Sequence, residues 1–118
     1  MKQPAWGKSP QHLVDAFAAA VADLPGAEPR KMFGFPAAFV NGNLFTGLFE
    51  DRWFVRLSDE DRVALQGEGG QSFEPMPGRP MKAYVELPAD VLADEPARDG
   101  WLRRSLEYAA ALPPKRKG

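Results

Sequence analysis

Asn41-Gly42 stands between two apolar pairs, Phe39-Val40 and Leu44-Phe45, and this is the dipeptide that a type I′ hairpin requires, because both central residues of that turn take positive φ. A tight hairpin here commits the middle of the chain to antiparallel strands. From Arg30 to Leu57 short apolar runs are broken by turn residues, and phenylalanine, valine and tryptophan are frequent, which favours strands over helix. Glu50-Asp51-Arg52 makes the next turn, and Trp53 to Leu57 alternates, with Trp53, Val55 and Leu57 on one side and Phe54 and Arg56 on the other. The expectation is a three-stranded antiparallel meander.

Helices flank it. Ser9-Pro10 predicts a helix start, with Ser9 as the side-chain cap and proline where the amide would be unpaired anyway. Leu13, Phe17, Val21 and Leu24 then share one face, so Pro10 to Leu24 reads as an amphipathic helix stopped by Pro25-Gly26. Ser58 followed by Asp61 resembles a capping box for a short helix ended by Gly67. GEGGQS reads as a flexible connector, Ala83 to Leu87 as a further strand, and Pro88-Ala89-Asp90 as the opening of a helical turn ending near Ala93. A last helix starts at Asp94 with Pro96 behind it, buries Leu102, Leu106 and Ala109, and ends at Pro113-Pro114. This order predicts an α+β domain in two layers, an antiparallel sheet of the meander plus one or two further strands packed against N- and C-terminal helices. Residues 1–118 are expected to form that single domain, with 1–8 and 113–118 as loose ends.

Composition narrows the chemistry. The chain has no cysteine, which removes thiolate catalysis, disulfides and cysteine-bound metal centres. Its one histidine, His12, lies in the first turns of the predicted helix, so a hydrolase triad is not expected. Fifteen basic residues against sixteen acidic ones leave a net charge of −1, and nucleic-acid binding would need a local patch. The opening MKQPAWGKSPQH lacks the apolar core of a signal peptide, and no stretch is long and apolar enough to span a membrane. A soluble, cytoplasmic protein with no membrane partner is therefore expected.

No motif for phosphate loops, EF-hands or zinc occurs, so no catalytic, metal or cofactor residues are assigned, and the acidic clusters read as turns and helix starts. The candidate interaction residues are Arg30, Lys31, Arg79 and Lys82. Arg79 belongs to EPMPGRPMKAYVELP, where Pro75, Pro77 and Pro80 stiffen the chain and Gly78 permits an unusual backbone angle. A guanidinium on so stiff a turn is preorganised for carboxylate or phosphate, although composition favours a structural corner. Tyr84 and Glu86 share a strand face near Arg79 in sequence, the one geometric hint of an enzyme.

Arg30-Lys31-Met32-Phe33-Gly34, the Asn41-Gly42 hairpin, the Asp51-Arg52 turn, Pro77-Gly78-Arg79-Pro80-Met81 before a tyrosine-containing strand, Trp101 and Leu112-Pro113-Pro114-Lys115 follow one another in an order that resembles the TfoX N-terminal domain family. The resemblance implies a compact two-layer α+β domain like secretion-chaperone folds, and an association with bacterial regulators of DNA-uptake genes. It supplies no catalytic residue and no cofactor. Those regulators carry a second helical domain, so the expectation here is a stand-alone, non-enzymatic regulatory or protein-interaction module with an unidentified protein partner, or a homodimer. The alternatives are a nucleic-acid-binding accessory domain linked to competence or transcription regulation, and an uncharacterised enzyme.

Overall fold

The computed structural model describes residues 8–114 except Pro77. The sequence readings at residues 1–7, at Pro77 and at Lys115 to Gly118 lie outside the described residues. The elements run α1 (Gln11–Ala22), β1 (Glu28–Met32), β2 (Phe35–Val40), β3 (Asn43–Phe49), β4 (Arg52–Arg56), α2 (Asp59–Gly67), β5 (Gln71–Ser72), β6 (Tyr84–Glu86), α3 (Ala89–Leu92) and α4 (Glu95–Ala110). The strands form one antiparallel sheet in the order β1-β2-β3-β4-β6-β5. This is the expected α+β architecture.

The hairpin at Asn41-Gly42 has the backbone its sequence demands, with φ of 52° and 79°. Ser58 caps α2 by accepting from the Asp61 amide at 3.2 Å, and Asp94 caps α4 by accepting from the Ala97 amide at 3.3 Å. Three readings need correction. The meander has four strands rather than three, because Glu28–Met32 pairs along its whole length with β2; this outer strand is mostly exposed and carries no apolar alternation to betray it. Gln71-Ser72, read as connector, pairs with β6. Ser9 does not cap α1: Pro10 occupies the N-cap, and the Ser9 hydroxyl donates instead to the Glu50 carbonyl at 2.6 Å, tying the helix start to the β3–β4 turn.

Paired residues share a face, so Trp53, Val55 and Val85 lie on one side of the sheet and Phe54, Arg56, Tyr84 and Glu86 on the other. Helices α1 and α4 cover the first side, with Phe17 tilted against Trp53 at 5.2 Å between ring centroids. The register slips between Ala38 and Phe39, leaving Phe45 of β3 without a ladder partner. Ser105 of α4 repairs the gap, donating to the Phe45 carbonyl at 2.8 Å and accepting from the Arg56 amide at 3.2 Å. A second buried chain runs from the Trp53 indole N–H to Thr46 Oγ1 at 2.9 Å, and from that hydroxyl to the Phe54 carbonyl at 2.7 Å. Every polar atom in it is satisfied, as burial requires.

The other side buries Phe35, Phe49, Phe54 and Phe73. Phe73 stacks on Phe54 at 4.2 Å and meets Phe49 edge-on at 5.7 Å. Strands β3 and β5, with two others between them, would stand about 14 Å apart in a flat sheet. The sheet is therefore strongly curved, and its concave side closes on these rings. Gly47 makes the closure feasible, because the Phe54 ring lies across it and a Cβ there would come within 2.6 Å of the ring.

Gly47→Ala is expected to destabilise the fold by about 1–3 kcal/mol through overpacking. Gly100→Ala, inside α4 with nothing within 4 Å of the added Cβ, should instead stabilise it by about 0.5–1 kcal/mol. Urea denaturation of both variants measures the contrast, and equal effects would show that the close packing at Gly47 is absent.

Candidate functional site

The concave side of the sheet gathers arginines over aromatic rings. The Arg30 guanidinium lies 5.4 Å from the Phe39 ring centre, Arg52 lies 5.0 Å from Phe49, and Arg56 lies 5.7 Å from Tyr84. Alternation places them there: Arg52, Phe54 and Arg56 are every second residue of β4. Delocalised and weakly hydrated, a guanidinium tolerates such stacking better than an ammonium would.

Around β4 and β6 the polar groups interlock. Arg52 bridges Glu86 at 3.0 Å and Glu50 at 3.3 Å. Arg56 has no acidic partner among the described residues, and its Nε is sealed from solvent without an acceptor. The Tyr84 hydroxyl donates to the Leu44 carbonyl at 2.9 Å. Burial pushes the Tyr84 hydroxyl above its ordinary pKa, and the charge of Arg56 and its hydrogen bond with the tyrosine only partly offset this. Burial likewise raises the Glu86 carboxyl above the usual 4.5, against the pull of Arg52 and with a small push from Asp51.

The sequence-predicted residues do not form one cluster. Arg30 and Lys31 are neighbours in an outer strand and so project from opposite faces; Arg30 is on the concave side, ion-paired to Glu28 at 3.2 Å, and Lys31 is opposite Pro36. Arg79 and Lys82 are exposed near the other edge of the sheet, in the loop between β5 and β6. That loop is a hydrogen-bonded corner: the Arg79 amide donates to the Met76 carbonyl at 2.9 Å, and the Gly78 amide to the Glu74 carboxylate at 2.9 Å. Among the described residues, neither Tyr84 nor Glu86 meets Arg79; their partners are Arg52 and Arg56. Sequence reasoning missed both arginines, though the two-residue spacing around Phe54 marks them.

The motifs around Phe33 and Arg79 are linked through rings. Phe33, in the β1–β2 turn, packs edge-on against Phe49 at 5.8 Å, and Phe49 in turn meets Phe73 at the start of the Arg79 loop. Phe33 and Met76 remain 42% and 47% exposed. A family model, the TfoX N-terminal domain, matches residues 19–109, a span that takes in both motifs and every strand of the sheet. The chain belongs to this family. No curated protein matches it. In this TfoX N-terminal domain the matched span also includes Arg52, Arg56, Tyr84 and Glu86.

The shift of Glu86 fixes a sign. The folded protein holds this proton more tightly than the unfolded chain does, so the stability it contributes is full below pH 4.5 and is lost as pH rises through the higher folded value. Glu86→Gln has no proton to lose. The stability of wild type relative to this variant is expected to fall as pH rises above 4.5; urea midpoints from acid to neutral pH check it, and a constant or widening wild-type advantage refutes it.

Proposed function

We propose that this TfoX N-terminal domain is a non-enzymatic protein-interaction module whose docking surface centres on Phe33. The observation that carries this reading is a comparison inside the molecule. Two hairpins have nearly the same turn backbone, Asn41-Gly42 with φ of 52° and 79° and Phe33-Gly34 with φ of 58° and 82°. Asparagine tolerates the left-handed region, whereas a bulky aromatic residue there is an outlier. The β1–β2 turn thus keeps a large apolar side chain, nearly half exposed, at a position whose backbone disfavours it. Strain of this sort is concentrated at binding and switching sites.

The surroundings support a protein partner over a nucleic acid. Among the described residues the aromatic rings of the sheet other than Phe33 and Phe39 are buried against one another and are not open to stack on bases, and the net charge of −1 gives no global attraction to phosphate. Edge-to-edge pairing is also poorly served at β1. A two-residue turn makes Met32–Phe35 a hydrogen-bonded pair, so by alternation Pro29 and Lys31 direct their backbone groups outward, and Pro29 has no amide to offer. Docking therefore falls to side chains, with Phe33 as apolar anchor and the exposed Arg79, whose guanidinium has no ion pair among the described residues, as a cation for the partner's acidic groups.

Phe33→Asn tests the reading. Relief of about 1–2 kcal/mol of backbone strain offsets the lost edge contact of about 0.5–1.5 kcal/mol, so stability should change by less than about 1 kcal/mol. A protein crosslinked by wild type in cells should be lost with Phe33→Asn, and purified components should show the same loss on titration. Undiminished affinity of the variant, or destabilisation beyond about 2 kcal/mol, would make Phe33 a packing residue and remove the basis for the proposal.

A further inference from the structure

On the helix-covered side, away from the Phe33 surface, a cleft of about 560 Å³ opens between the start of α1, the β3–β4 turn, α3 and the first turns of α4. That volume lies within the range of small-molecule sites, about 300–1,000 Å³. Its walls are apolar: Leu13 and Ala16 come from α1 and Leu92 from α3, with Trp53 beneath. His12 stands in the lining as well.

Arg98 enters this cleft as a buried cation, 7% exposed, with its guanidinium 5.3 Å from the Trp53 ring centre. One edge of the guanidinium is pinned: Nε and Nη2 both donate to Asp99 at 3.1 Å, and Nη2 also reaches Glu95 at 3.4 Å. Nη1 donates to no described residue. Asp51, in the same lining, has no hydrogen bond or ion pair among the described residues. One apolar cleft thus has a fixed donor and an exposed carboxylate in its lining, supplied by elements far apart in sequence.

We infer that the cleft binds a small zwitterion of the apolar amino-acid class. Its carboxylate accepts from Arg98 Nη1, its ammonium faces Asp51, and its apolar body lies along Leu13, Ala16 and Leu92. Arg98 needs no reordering to bind, because Asp99 and the Trp53 ring already fix it, and preorganisation of this kind is what lets a small ligand bind measurably. Charge-assisted hydrogen bonds at both ends give the selectivity.

The probes are L-phenylalanine, 3-phenylpropanoate, which lacks the ammonium, and 2-phenylethylamine, which lacks the carboxylate. Binding is followed on the full chain by the NMR signals of Arg98 Nε–H and the Trp53 indole N–H. L-Phenylalanine should shift both saturably, and each truncated probe should bind at least roughly tenfold more weakly. Ala16→Phe puts a ring into the cleft from its α1 wall, so it should abolish the shifts while leaving the thermal midpoint in place. Arg98→Lys, which keeps a cation and removes the fork, should weaken L-phenylalanine and 3-phenylpropanoate but not 2-phenylethylamine. Absence of a saturable shift up to about 10 mM, equal binding of all three probes, or shifts that persist in Ala16→Phe would each overturn the inference.

Discussion

The Phe54 ring lies across β3 at the one position where that strand presents only a hydrogen atom, Gly47, and the arrangement of the concave side follows from this contact. With Phe54 held low, Phe73 can stack upon it, and the stack draws β5 and the loop beyond it toward Phe49. Helices close one side of the sheet and aromatic rings close the other, so a chain of this size acquires a continuous core without a third layer. Stacked and edge-on ring pairs add about 0.5–1.5 kcal/mol each beyond simple burial, so the curvature is energetically supported and not merely permitted.

Two surfaces with different chemistry result. The concave side offers cations whose position is set by rings beneath them, and one of these, Arg56, is held where its Nε finds no acceptor. The helix side offers a cleft in which a cation is set by carboxylates behind it. Each arginine is fixed by its surroundings before any partner arrives. Fixed charges of this kind serve recognition well, since little conformational entropy remains to be lost.

Local chemistry was legible where a residue acts on its own neighbours. Asn41-Gly42 dictated a hairpin, and Ser58 and Asp94 capped helices, because each acts on backbone no more than three residues away. Ser9 deceived because its hydroxyl had a remote competitor, the Glu50 carbonyl, while Pro10 took the cap position. Strand β1 was hidden because an outer strand needs no apolar alternation, and β5 because glycine-rich sequence gave it no propensity. Arg52 and Arg56 could have been found from their spacing around Phe54. Arg98 could not: helix periodicity places it near the buried face, but only the packed α1 and the β3–β4 turn turn its surroundings into a cleft.

Strand β6 lies between β4 and β5, although it follows both in the chain. During synthesis from the N-terminus, β4 therefore leaves the ribosome with its outer backbone groups unpaired, and they stay so until some thirty later residues have emerged. The segment made in that interval is α2, the glycine-rich connection and the proline-bearing loop. Until Tyr84–Glu86 slots home, the nascent domain exposes an unpaired flank, and the interval before that insertion is when it is most open to pairing with other chains.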